Sequence, residues 1–285
     1  MIPVVIVHED YQDFLKSNVE ITGENNSIFL IGNKSVKVLE EHPSVTYVDI
    51  NKYMQMEKFQ TFEREFVHFG DKDRRTYMFW FMRMLIMSEF AKEYEFETFF
   101  SCDSDNALLI NVNNFNFKKD NAITIPEEWE PFYYGASVHS GLINSKFCET
   151  YEDLLTEIFI DKKKIDFIEN KIEFHKKNPG SFCDMTLYFY MNKFDLISFD
   201  NLLYPREFKG QNFVFTQSYA NGEGFKSKNQ YKLRNKKMLI KKDNSMNANY
   251  ILDKNTGEKL FIANIHFQGK QKKYLNTRMV KWLNY

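Results

Sequence analysis

Hydrophobic positions along the chain fall into short unbroken runs and longer periodic ones, and the two kinds alternate. Pro3 to Val7 is a compact β-branched run suited to a central parallel strand buried on both faces, and the polar segment His8 to Lys16 predicts a turn and a helix after it. Ser27 to Ile31, closed by Gly32-Asn33, and Val45 to Ile50 repeat the strand signature, with a helical segment Lys34 to Glu41 between them. Asn51 to Arg75 is charged and less regular, and its His68 reads as a surface or structural residue ahead of a catalytic one. From Tyr77 to Glu93, apolar residues at Tyr77, Trp80, Phe81, Met84, Leu85 and Met87 have the spacing of a helix with one buried face. The aromatic run from Phe96 then predicts a strand that stops at Asp103-Ser104-Asp105. The opening hundred or so residues thus follow a β-α-β-α-β plan with a parallel sheet.

The later chain is less periodic. Tyr133 to Asn144 predicts a strand interrupted at Ser140-Gly141, where glycine permits a bulge or a close backbone approach. Cys148 to Lys176 holds one or two helices with a basic turn at Lys162-Lys163-Lys164, and Asn178-Pro179-Gly180 breaks the chain. Ser181 is placed to cap the next helix, with Asp184 third after it in a capping-box-like arrangement. Asn201 to Tyr231 contains Asn221-Gly222-Glu223-Gly224, a flexible loop that could lie over an acceptor. Asn249 to Phe261 predicts a hairpin turning at Lys254-Asn255-Thr256-Gly257, Leu260 to Ile265 a last strand leading to His266, and Tyr274 to Leu283 a closing helix. No internal repeat and no linker divides residues 1–285, so one α/β domain is expected.

Composition narrows the function classes. A net charge of −1 argues against a general nucleic-acid binder, which needs a concentrated positive field. The Lys- and Arg-rich region from Arg206 to Lys281 reads as a solvated basic face, with an anionic substrate or peripheral membrane contact as the alternative. Cys102, Cys148 and Cys183 have no metal-ligand spacing and fit free thiols of a reducing compartment. The amino terminus has neither a basic leader nor a long apolar segment, and no run of about 18 apolar residues occurs, so a soluble cytoplasmic protein is expected. Dinucleotide oxidoreductases and P-loop enzymes are disfavoured, because neither glycine-rich phosphate motif is present.

The chemistry concentrates at the end of the aromatic strand. Residues two apart in extended chain point to one side, so Asp103 and Asp105 could face a single hard cation at the carboxyl end of a strand, where open α/β sheets keep their ligands. A plain acidic turn is the alternative reading.

Arg83-Met84-Leu85-Ile86 on a helix, followed by Phe99-Phe100-Ser101-Cys102-Asp103-Ser104-Asp105, resembles the nucleotide-sugar half of GT-A-fold glycosyltransferases. His266-Phe267-Gln268-Gly269-Lys270-Gln271-Lys272 resembles the His-x-x-Gly-x-x-Lys motif of the glycogenin-like and lipopolysaccharide galactosyltransferase-like family. The resemblance implies a GT-A-like (Rossmann-like) α/β fold, with a mixed, mostly parallel central sheet flanked by helices. It divides the chain into a nucleotide-sugar half, 1–110, and an acceptor half, 111–285. It also implies a hexosyl- or pentosyltransferase using Mn²⁺ or Mg²⁺ and a nucleoside-diphosphate sugar, a UDP-sugar favoured, with a glycan, lipid-linked or protein acceptor.

By the same resemblance, Asp103 contacts the ribose or the metal, Asp105 and His266 ligate the metal, and Lys272 contacts the diphosphate with help from Lys270. Gly269 lets backbone amides approach phosphate, and Arg83 either contacts the nucleotide sugar or pairs with a carboxylate. The loop His8-Glu9-Asp10-Tyr11 lies beside the nucleoside, with Tyr11 either stacked on the base or on the surface. Ser140-Gly141-Leu142-Ile143-Asn144 is similar to the family segment that touches the donor sugar, although His139 stands where a small or polar residue is expected. Phe182 to Tyr188 resembles an Asp-Gln-x-x-Leu-Asn segment that lines the sugar site, with Met185 in place of glutamine. Asp184 therefore has two readings, an active-site carboxylate or a helix-cap partner. The rival functions are a nucleotidyltransferase of similar fold and a non-catalytic carbohydrate-binding or scaffold protein.

Overall fold

A computed structural model of the chain describes residues 1–70, 73–126, 132, 135–216, 218–219, 231–235 and 237–284. The expected acceptor loop Asn221-Gly222-Glu223-Gly224 and the expected strand start Tyr133-Tyr134 lie outside the described residues. In chain order the first half contains β1 (Val4–Val7), α1 (Asp13–Thr22), β2 (Ile28–Gly32), β3 (Val45–Asp49), α2 (Asn51–Met54), α3 (Glu57–Glu65), α4 (Arg74–Glu93), β4 (Thr98–Cys102) and β5 (Asn106–Leu108). There follow β6 (Ala122–Thr124), β7 (Ser137–Asn144), α5 (Ser145–Leu155), α6 (Asp166–His175), α7 (Asp184–Lys193), β8 (Asp200–Asn201), β9 (Arg206–Phe208) and β10 (Gln211–Phe215). The remainder is β11 (Leu233–Arg234), β12 (Lys237–Met238), β13 (Lys241–Asp243), β14 (Ala248–Leu252), β15 (Lys259–His266) and α8 (Thr277–Asn284).

Seven strands form the first sheet in the order β3-β2-β1-β4-β7-β6-β8. All its pairings are parallel except the two made by β7. β1 reads as an unbroken apolar run because both faces of the sheet are covered: Val5 and Val7 pack with α4, α5 and α7, while Val4 and Ile6 pack with α1 and the second sheet. Phe99 and Phe100 of β4 divide between the same two cores. The second sheet runs β13-β14-β15-β10-β9, with β5 also paired to β15. The result is the mixed, mostly parallel α/β sheet flanked by helices that was expected. No helix among the described residues is long and apolar enough to cross a membrane.

Several local expectations are corrected. The first helix begins at Asp13 and reaches Thr22, because Val19 and Ile21, beyond the predicted end, are buried in the same core as Leu15. Much of the stretch Asn51 to Arg75 is helical: α2 and α3 occupy most of residues 51–65, and α3 buries Phe59 and Phe62, three apart on one face, with its charges outside. α4 starts at Arg74, where the Asp73 side chain accepts from the Thr76 N–H at 2.9 Å. β7 is unbroken through Ser140-Gly141 and pairs residue by residue with β4; the irregularity lies instead in its pairing with β6. Ser181 does not cap α7. Cys183 occupies that position, with its N–H 3.5 Å from Thr186 Oγ1, and Asp184 is the first helical residue. The hairpin is as expected, β14 pairing antiparallel with β15.

Candidate active site

β4 leaves the first sheet at Cys102, and after three intervening residues the chain enters the second sheet as β5. Asp103-Ser104-Asp105 is therefore the crossing point between the sheets. The turn is fixed from several sides. The Asp103 N–H donates to the His139 carbonyl at 3.0 Å, the Asn106 N–H to the Asp103 carbonyl at 3.0 Å, and Asn18 Nδ2 to the Ser104 carbonyl at 2.8 Å. β5 runs antiparallel to β15 with Asn106 opposite His266, so strand register brings the distant histidine to the carboxylates. The Phe267 N–H closes the junction on the Asp105 carbonyl at 2.8 Å. His266 Nε2 lies 3.4 Å from Asp105 Oδ1, and one ligand atom each from Asp103, Asp105 and His266 fall within 4.8 Å of one another.

Cationic side chains face these carboxylates. Lys272, in the 3-10 turn Gly269–Tyr274 after β15, places Nζ 3.3 Å from Asp105 Oδ2 and over the Phe14 ring at 4.8 Å. That turn opens at Gly269 with φ +58°, a left-handed backbone that glycine takes without strain. Arg83, on the site-facing side of α4, donates through Nη1 to Asp103 Oδ1 at 2.8 Å and through Nη2 to Asp184 Oδ2 at 3.5 Å. The Tyr188 hydroxyl, one turn along α7, donates to the same Asp184 oxygen at 3.3 Å.

Electrostatics follow from burial and pairing. Burial alone would raise the Asp105 carboxyl, but the hydrogen bond and charge of His266, with the charge of Lys272, hold it well below the usual carboxylate range. Asp184 goes the other way: burial raises it, and Arg83 only partly offsets the rise. Burial also opposes the charge on Arg83, yet Asp103 and Asp184 together keep the guanidinium firmly protonated. His8, at the carboxyl end of β1, is pushed down to about 4 by burial and then by Lys272.

These groups line a cleft of about 1080 Å³, at the upper end of ordinary ligand clefts. Of the residues singled out in the sequence, Arg83, Asp103, Asp105, Asp184, His266, Gly269 and Lys272 meet on its walls. Arg83 takes the carboxylate-pairing alternative in this arrangement. Tyr11 and Lys270 are exposed and lie outside the cleft lining. Ser140 and Gly141 lie beneath it: Ser140 Oγ accepts from Asn106 Nδ2 at 2.6 Å, and a Cβ on Gly141 would come within 3.3 Å of the Ala122 carbonyl. His68 packs against Tyr77 at 5.2 Å, away from the lining. Trp80, expected on the buried face of its helix, His139, expected only as a departure from the family segment, and Tyr188 also line the cleft, a place the sequence did not assign to them. Tyr188 was legible as the residue four after Asp184 on a helix, and Trp80 as the residue three before Arg83.

No protein-family model matches the chain, and no curated protein sequence matches it. Solved structures are similar in shape. Mouse xyloside xylosyltransferase 1, in its apo form, aligns at 11% identity and a TM-score of 0.49 over 70% of this chain and 84% of that one. The glycosyltransferase GlyE of Streptococcus pneumoniae aligns at 13% and 0.37 over 70% and 45%. A structure described as a putative glucose-1-phosphate thymidylyltransferase from Bacillus anthracis aligns at 11% and 0.30 over 70% and 98%. What the chain's own structure shows is an α/β fold with a mixed, mostly parallel central sheet flanked by helices.

Proposed function

We propose that this protein is a metal-dependent glycosyltransferase that moves a sugar from a nucleoside-diphosphate sugar to a hydroxyl acceptor. The observation that carries the reading is the convergence of Asp103, Asp105 and His266 within 4.8 Å at the cleft, with Lys272 beside them. Two carboxylates and an imidazole make a hard-to-borderline donor set that suits Mn²⁺ or Mg²⁺. A bound ion would neutralise charge on the leaving diphosphate. Residues 1–285 would act as one unit, since the carboxylates come from the first half and His266 and Lys272 from the second. The family resemblance favours a UDP-sugar as donor.

The chain's own residues would divide the work. Lys272 is a point charge for the diphosphate, and the turn at Gly269 can present backbone amides to it. Arg83, held between Asp103 and Asp184, orients both carboxylates at once. Asp184 is buried at the cleft wall with a raised pKa, so it can take a proton more readily than an exposed carboxylate. It would act as general base for the acceptor hydroxyl in an inverting reaction, or help form the donor-sugar pocket in a retaining one.

Screening nucleoside-diphosphate sugars for slow hydrolysis with and without Mn²⁺ tests the reading. Metal-dependent release of free sugar and nucleoside diphosphate is the expected result. Pyrophosphate release from a nucleoside triphosphate and a sugar 1-phosphate, without sugar-nucleotide hydrolysis, would assign a nucleotidyltransferase instead.

A further inference from the structure

His139 touches both arms of the proposed metal site, although its side chain is not one of the grouped ligands. Its ring lies almost flat on that of His266, with centroids 4.4 Å apart and planes 13° from parallel. Its Nδ1 is 2.6 Å from Ser137 Oγ, two residues back on the same face of β7. Its carbonyl accepts from the Asp103 N–H at 3.0 Å and from Asn106 Nδ2 at 2.6 Å. Asn106 stands opposite His266 in the β5·β15 register and also accepts from Asn264 Nδ2 of β15. One residue, 3% exposed, thus joins the turn that carries the carboxylates to the ring that carries the nitrogen ligand.

We infer that His139 is a positioning residue of this site: its ring fixes the plane of His266 so that Nε2 points at Asp105, and Ser137 fixes the ring of His139. The inference rests on the metal reading above. A ligating imidazole has a broad torsion about its Cβ–Cγ bond, so its nitrogen is aimed only when something holds the ring plane. A flat neighbour on one face does this without occupying the edge that ligates. The hydroxyl of Ser137 then limits rotation of that neighbour. The stack is a geometric device, so a flat ring in place of the imidazole should retain part of the effect, the rest depending on the bond from Ser137.

The test is Mn²⁺ binding to the full chain without nucleotide, read from the electron paramagnetic resonance signal of free Mn²⁺, with melting temperatures of the metal-free proteins alongside. His139→Ala should weaken Mn²⁺ affinity by about 10–100-fold, as for loss of a group that orients a ligand. His139→Phe, which keeps the flat face but loses the bond to Ser137, should bind more weakly than wild type and more tightly than His139→Ala. Ser137→Ala should weaken binding and Ser137→Thr, which keeps the hydroxyl, should restore it; this pair decides the matter if His139→Ala does not fold. Wild-type affinity in His139→Ala or Ser137→Ala, with only the melting temperature lowered, overturns the inference and leaves the metal reading standing. His139→Phe as weak as His139→Ala also overturns it, because a ring nitrogen and not the ring face would then matter. Absence of Mn²⁺ binding by the wild type overturns both.

Discussion

Arg83 is the side chain on which the charges of the site balance, since it meets Asp103 at 2.8 Å and Asp184 at 3.5 Å. Asp184→Asn keeps the size of the side chain and an oxygen for Tyr188, while Arg83 retains Asp103. That variant should lose transfer by about 10²–10⁴-fold, as for removal of a general base, while binding nucleotide and melting near the wild-type temperature. Wild-type transfer by a destabilised Asp184→Asn would return the residue to a structural role. Lys272→Ala should lower turnover by on the order of 10²-fold, as for loss of one preorganised charge-stabilising group. Lys254→Ala, in the turn between β14 and β15, should change little; equal effects in steady-state assays would point to general positive charge. His8 supplies a pH dependence. Its folded pKa of about 4 lies below the ordinary 6.5, so the unfolded chain binds this proton more readily. The stability it contributes is complete above pH 6.5 and is lost as pH falls toward 4, by up to about 3 kcal/mol. His8→Gln should flatten this part of the stability profile, and urea midpoints that fall equally in both proteins between about pH 7 and about pH 4.5 would contradict it.

Elements with a local signal were legible and those set by long-range register were not. β1 was visible because burial on both faces leaves no polar position in it, and α4 because it is apolar along most of its length, although its buried residues, Met78, Met82 and Ile86 among them, extend well beyond the one face expected. α3 was hidden by its charges: only Phe59 and Phe62 of its nine residues are buried. The short β5 carries no period, and its partner is fixed by pairing across more than 150 residues, which no local pattern encodes. The α7 cap was misplaced because Ser181 is the stronger capping residue type, yet the helix begins after Cys183. The end of β2 offers a test at this scale. A Cβ on Gly32 would sit 2.2 Å from the His8 carbonyl oxygen and 2.7 Å from Val36 Cγ2. Gly32→Ala should therefore cost about 1–3 kcal/mol in urea unfolding, and should weaken nucleotide binding because His8 lines the cleft. Unchanged stability would mean that β2 and the loop after β1 do not approach so closely.

At the scale of the molecule, the site is where two sheets meet. β4 ends in the first sheet, β5 begins in the second, and β15 returns His266 to the junction. This meeting was legible only through the family resemblance of the two motifs, which implied that Asp105 and His266 share one metal; the β5·β15 register brings the two residues together. What the motifs could not encode is depth. Ser140 and Gly141 lie under the cleft, and Tyr11 and Lys270 lie outside its lining, since side-chain placement depends on packing between elements far apart in sequence. Asp105 and His266, 161 positions apart in the chain, would form one metal site for a nucleoside diphosphate. Calorimetric titration of UDP into the wild type, Asp105→Ala and His266→Ala, each with and without Mn²⁺, tests it most directly. The account predicts binding by the wild type that requires Mn²⁺, and its loss in both variants while their circular dichroism remains that of the folded protein. Equal, Mn²⁺-dependent titration of all three proteins would contradict it.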